Sequence, residues 1–198
     1  GRGPRSGMVP GESPGRFAGA AEAEAKAREL AARYREPGLL PAEVWTEIAA
    51  SRRDPDFAAA FLKRLGPEQA AEVTAHLRDQ DGPDAAARLE TFATLTATAS
   101  HQGVLTEQWL QEFGPQGRGP DLYGLGALIA HGIWDAATLR AIGAHALKSG
   151  HLLGGADVAA EILDAIARDP LAAHELYEAN FDRINDMAAG TVPGWDDG

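Results

Sequence analysis

Apolar residues recur along this chain at intervals of three and four, the spacing that places them on one face of an α-helix. Residues 156–168, for example, carry Val158, Ile162 and Ile166 at steps of four. No stretch alternates between apolar and polar residues, as a half-buried strand would. The pattern therefore predicts helices along most of the chain.

Proline and glycine indicate where these helices begin and end. Asp54-Pro55 and Asp169-Pro170 each place an aspartate that caps a helix before a proline that fits its first turn. The helices are predicted in residues 18–36, 55–65, 67–78, 84–100, 122–131, 156–168 and 170–180, with a short last turn in 181–187. Others are predicted to begin at Pro41 and directly after the capping residues Thr106 and Asp135.

Two of these segments differ from the rest in composition. Residues 18–36 are rich in alanine and charged residues, so we expect a helix that buries little and contacts the protein through Leu30 and Tyr34. The second half of 84–100 is rich in threonine, which forms helices only moderately well. Threonine therefore disfavours a regular helix in that half.

The fold class that follows is all-α, an irregular multi-helix bundle of about nine to eleven short helices built from αα-hairpins. The composition agrees, because 40 residues are alanine whereas valine and isoleucine together number 13. Ten residues are expected to point inward: Trp45, Ile48, Phe57, Phe61, Leu89, Phe92, Leu128, Ile142, Ile162 and Ile166.

The same pattern divides the chain into segments. Residues 1–17, rich in Gly, Pro, Ser and Arg, are predicted to be flexible. A helical domain follows at 18–189, with possible halves at 18–114 and 121–189 joined by the loop 115–120, and then an irregular tail at 190–198. The segments around Asp54-Pro55 and Asp169-Pro170 resemble each other, each pairing two helices at the same kind of corner.

Charge and length exclude several classes of protein. The net charge of −11 disfavours a nucleic-acid partner, which needs a concentrated basic face. The longest apolar uncharged stretch, 122–134, is too short for a membrane span. The first residues contain no apolar run of a secretory signal, so the expected location is cytoplasmic by default, with export without a classical signal peptide left open.

Candidate chemistry is sparse. No two of the six histidines are three or four residues apart, the spacing of a metal pair on one helix, and the chain has no cysteine. The segment from His174 to Glu178 ends in glutamate where a zinc-peptidase helix needs histidine. Neither a calcium loop, a nucleophile elbow nor a phosphate-binding glycine loop is recognisable. We therefore predict no catalytic, cofactor-binding or metal residue and no cofactor.

Three segments of the sequence resemble those of a protein family. Residues 54–68, 125–139 and 165–173 occur in an order that resembles uncharacterised all-helical proteins of actinobacteria. Some of those proteins are similar to the amino-terminal helical regions of secreted polymorphic toxins. The resemblance covers about residues 40–190 and implies a helical delivery or interaction segment. The resemblance identifies no catalytic residue in this chain.

Two functions remain open. The first is a non-catalytic helical scaffold, interaction or delivery module, which would bind a protein partner or the remainder of a longer chain and could be a segment of a larger secreted toxin-like protein. The second is a small intracellular helical enzyme or ligand-binding protein, with a pocket near His131, Trp134 and His145.

Overall fold

The computed structural model describes residues 16–149 and 156–179. Within these ranges it contains ten α-helices and no strand, which confirms the all-α prediction. The predicted turn 181–187, the predicted tail 190–198 and the predicted N-terminal segment up to residue 15 lie outside them. The helices are α1 Ala20–Ala31, α2 Ala42–Ser51, α3 Pro55–Leu65, α4 Pro67–Asp79, α5 Pro83–Ser100, α6 Glu107–Gln111, α7 Leu122–Ile129, α8 Ala136–Ser149, α9 Ala156–Ile166 and α10 Pro170–Ala179.

The two Asp-Pro corners have the same geometry. Asp54 Oδ1 accepts hydrogen bonds from the backbone N–H groups of residues 56 and 57, both at 3.0 Å. Asp169 Oδ1 accepts from those of residues 171 and 172, both at 3.1 Å. Each carboxylate thus satisfies two amides that the helix itself leaves unpaired. The predicted caps are confirmed at both sites.

Two further predicted caps are also present. Thr106 Oγ1 accepts from the backbone N–H of Trp109 at 3.1 Å, and Asp135 Oδ2 accepts from that of Thr138 at 3.1 Å. Pro41 was expected at the first helical position but precedes it as the N-cap of α2.

Threonine does not interrupt α5. The hydroxyls of Thr94, Thr96 and Thr98 each donate to the carbonyl oxygen four residues earlier, at 2.8 to 2.9 Å. These bonds satisfy the hydroxyls without breaking the helical ladder, so the helix continues to Ser100.

The expectation that the first helix buries little is wrong. Ala23 and Ala27 are fully buried, Ala31 is nearly so, and α1 packs along α3. Small side chains let two helices approach closely, so alanine contributes packing here that a search for large apolar residues does not detect. The helix also ends at Ala31 rather than near residue 36, and Tyr34 lies in the turn that follows.

The longest helix, α5, lies at the centre of the first half and contacts α2, α3, α4 and α7. The second half is arranged around α7 and α8: α7 contacts α4, α8 and α9, and α8 contacts α9 and α10. Buried residues of both halves belong to one hydrophobic cluster. No helix in the described ranges is long and apolar enough to cross a lipid bilayer.

Nine of the ten residues predicted to point inward are buried, and Leu89 is the exception. It is only partly buried and packs against the edge of the core. Eight residues of α5 are buried, and seven of them lie at positions 92–100, with Ala85 as the only one before Phe92. Leu89 therefore belongs to the first half of the helix, which the rest of the protein covers less.

The packed part of the chain includes residues that the sequence assigned to the flexible lead-in. Phe17 is 7% exposed, and its ring stacks on that of Phe57 with 5.8 Å between centroids. The guanidinium of Arg16 donates to Glu47 and Ser51 of α2. These contacts cover the end of the core formed by α2 and α3.

Candidate functional site

Of the three residues proposed for a second-half pocket, Trp134 and His131 are hydrogen-bonded to each other, whereas His145 pairs with a residue of another helix. The Trp134 side chain is buried, and its indole N–H donates to the His131 carbonyl oxygen at 2.7 Å, within the turn between α7 and α8. His145, on α8, instead has its Nε2 2.6 Å from Glu107 Oε1 of α6. Trp134 therefore acts as a core anchor, whereas the mostly covered His145 joins α8 to the exposed Glu107 of α6.

Other histidines also have structural contacts. His101 Nε2 lies 2.9 Å from the Ile133 carbonyl oxygen, and His76 Nε2 lies 2.9 Å from the Gln80 amide nitrogen. Across residues 16–149 and 156–179, no group of three or more His, Asp or Glu side chains is placed to hold a metal ion.

A groove of about 870 Å³ lies elsewhere, between α4 and α7. One side consists of Glu68, Ala71, Glu72 and Ala75, which the helical period places on one face of α4. The other side is formed by the loop after α6 and by Leu122 and Tyr123 in the first turn of α7. Val158 of α9 also lines it. We refer to this site as the α4–α7 groove.

The loop side of the groove, residues 114–121, is fixed at both ends. The backbone N–H of Asp121 donates to the Phe113 carbonyl oxygen at 2.6 Å. The Asp121 carboxylate then accepts from the backbone N–H of Gly124 at 3.0 Å and so caps α7. Gly114 has a φ of 152°, and a Cβ there would lie 2.8 Å from the Gly119 carbonyl oxygen. Only glycine at position 114 therefore leaves room for the two ends of the loop to meet.

Charge is distributed unevenly in the groove. Three carboxylates (Glu68, Glu72 and Asp121) face one guanidinium (Arg118). Glu72 accepts a hydrogen bond from the Tyr34 hydroxyl, and Asp121 caps α7. Within the described residues, the side chains of Glu68 and Arg118 make no hydrogen bond or ion pair. These two charges are available to a ligand.

Tyr123 is the exposed aromatic residue of the groove. Its side chain is 55% exposed, although the Arg78 guanidinium lies 5.7 Å from the ring centroid. An arrangement of this kind is a cation–π contact, which the electron-rich face of the ring stabilises. A large exposed ring beside a concave surface is a common anchor for a binding partner.

A shifted pKa occurs at a surface ion pair outside the groove. The Arg33 guanidinium, hydrogen-bonded to Glu43 of α2, holds the pKa of that carboxyl below its usual value. Because the Glu43 side chain is exposed, this pairing is typical of a surface salt bridge rather than of a catalytic acid.

Comparison of the chain with protein-family models, with curated protein sequences and with solved structures finds no match. The resemblance to helical actinobacterial proteins therefore stays a prediction.

The groove was not predicted from the sequence, although two signals of it are visible there. Glu68, Ala71, Glu72 and Ala75 have the spacing of one helix face, and this face lacks the large apolar residues of a core stripe. The Gly- and Pro-rich loop 114–120 was identified only as a connection between halves. Its position opposite α4 depends on contacts between distant parts of the chain.

Proposed function

We propose that this protein is a helical interaction module without intrinsic catalytic activity, and that the α4–α7 groove holds a segment of its partner. The partner is another protein or the remainder of a longer polypeptide. The observation that carries the proposal is the groove itself: a concave, mostly apolar surface with an exposed tyrosine and two charges free for pairing. Such surfaces bind helices or extended segments by their side chains.

The chemistry of the lining supports binding rather than catalysis. A serine- or threonine-dependent hydrolase needs its hydroxyl next to a base such as histidine, and a metalloenzyme needs an ion with an open position. Among the described residues, the groove lining contains no serine, threonine or histidine. Carboxylates, a guanidinium and a phenol suit recognition by ion pairing and stacking. The resemblance to toxin-associated helical regions adds the proposal that the bound segment belongs to a delivery system.

Site-specific cross-linking tests this function without assuming the chemistry of the partner. A photoreactive benzoyl-phenylalanine replaces Tyr123 and, in a matched variant, the half-exposed Tyr177 of α10, which lies outside the groove lining. After irradiation in cells of the source organism, we expect a discrete adduct at position 123 and none at 177. Adding Ala75→Leu, which fills the groove from α4, should abolish the adduct. Equal labelling at both positions, or none, contradicts the proposal.

A further inference from the structure

We propose that the α4–α7 groove selects a basic amphipathic segment, in which an aliphatic side chain enters the groove and a neighbouring lysine or arginine pairs with Glu68. This inference rests on the proposed function and adds the chemical class of the partner. It is carried by three features of the groove: an apolar floor, an unpaired carboxylate at its rim, and an overall excess of negative charge.

The floor suits an aliphatic side chain. Ala71 and Ala75 present only methyl groups on the α4 side, and Leu122 and Val158 face them from α7 and α9. Because the α4 side chains are small, the space beside them is wide enough for a leucine or isoleucine. Burying such a side chain supplies the main favourable free energy of docking.

The carboxylate of Glu68 at the rim of the groove determines the charge of the partner residue that lies next to the aliphatic side chain. Glu68 is exposed, lies at the α4 side of the groove and has no partner in the described part of the chain. A cation bound there is also attracted by Glu72 one turn further along α4. Arg118, on the loop side, repels a cation, so the basic residue is expected to lie against α4.

The net charge of the whole molecule also favours a basic partner. At a net charge of −11, a second copy of this chain is repelled, whereas a basic segment is attracted and steered toward an acidic surface. The Tyr123 ring already has the Arg78 guanidinium beside it, so the basic residue of the partner is expected at Glu68 and not at the tyrosine.

The probe is a pair of synthetic hexapeptides, acetylated and amidated, with alternating Lys-Leu or alternating Glu-Leu. Binding to the full chain is followed by backbone amide NMR at physiological salt. Glycine amides resonate in a separate region of the spectrum, so Gly114, Gly117 and Gly119 report directly on the loop side. We expect saturable shifts of these signals and of Tyr123 with the Lys-Leu peptide, and no saturable shifts with the Glu-Leu peptide.

Three variants separate the groove from general charge attraction. Glu68→Gln should raise the dissociation constant about two- to fivefold, the range of an exposed ion pair. Ala75→Leu should abolish saturable binding, because the side chain occupies the floor. Arg118→Gln should tighten binding, because it removes the repelling charge.

The matched control is Asp84→Asn. Asp84 follows a Gly-Pro pair in the first turn of α5, as Glu68 does in α4, so both substitutions remove one charge and the same favourable interaction with a helix dipole. Asp84 lies outside the groove lining, and its substitution should leave binding unchanged. Melting temperatures measured by circular dichroism verify that each variant is folded.

The outcomes distinguish this inference from the proposed function. Equal weakening by the Glu68 and Asp84 variants, tighter binding of the Glu-Leu peptide, or no binding of either peptide overturns the basic-segment inference. If the Tyr123 adduct still forms in those cases, the interaction module stands with a partner of different chemistry. If the adduct also fails, both proposals fall.

Discussion

Gly38 occupies the point where the turn after α1 crosses α4. Its φ is 112°, and a Cβ at this position would lie 2.7 Å from the carbonyl carbon of Glu72. The residue is thus required both for its backbone conformation and for the absence of a side chain. The same contact places the turn against the α4 face that lines the groove.

Gly38→Ala is expected to destabilise the protein by about 2–5 kcal/mol, the sum of a strained left-handed conformation and of overpacking. Gly117 provides the control, since its φ is 81° and, its chain neighbours aside, no described atom lies within 4 Å of its would-be Cβ. Gly117→Ala should cost only about 1–2 kcal/mol. Urea denaturation of both variants measures the difference. Equal losses in the free energy of unfolding would contradict the close contact between the turn and α4.

At the scale of elements, capping determines where the helices begin. Asp54→Ala and Asp169→Ala should each lower the free energy of unfolding by about 0.5–2 kcal/mol, because two amides at the helix start lose their acceptor. The part of each loss that comes from capping should be similar, since the hydrogen-bond lengths at both corners nearly coincide.

Asp164→Ala is the control for the caps. This exposed aspartate lies inside α9, where alanine is the better helix former, so its replacement should not reduce stability. Chemical denaturation curves of all three variants provide the comparison. An unchanged midpoint for either cap variant would contradict the role of that aspartate.

Helix positions were predictable because their signals are local. Asp54-Pro55 and the Gly66-Pro67 pair specify the start and end of α3 from adjacent residues alone. The packing of α1 was not predictable in this way. Ala23 and Ala27 look like surface alanines until α3 is placed against them, and only tertiary contacts identify them as core.

The groove was hidden for a similar reason at the scale of the whole molecule. It combines residues 68–75, 114–123 and 158, and no motif relates these distant segments. The sequence instead directed attention to His131, Trp134 and His145, because histidine and tryptophan are common in binding sites. In the folded chain, Trp134 and His145 have packing and helix-joining contacts that account for them.

Metal ions should not stabilise the protein. A specific ion at 100 times its dissociation constant adds about 2.7 kcal/mol, which for a chain of this size raises the melting temperature by about 5–10 °C. The protein is first treated with a chelator, and zinc, calcium or magnesium is then added separately. We expect no such shift with any of the three ions. A clear rise with one ion that disappears in His131→Ala or His145→Ala would establish a metal site and contradict the interaction module.

The hydrogen bond between the Asp121 N–H and the Phe113 carbonyl oxygen allows the loop side chains to vary without changing the helices on either side. It joins the two ends of the loop that forms one side of the groove, and its partners are backbone atoms. Residues 115–118 between these ends are exposed and contribute no side chain to the core. Under the proposed function, exchange of Pro115, Gln116 and Arg118, which line the groove, would therefore alter partner recognition while the helices stay intact, much as antibody loops vary on a constant framework.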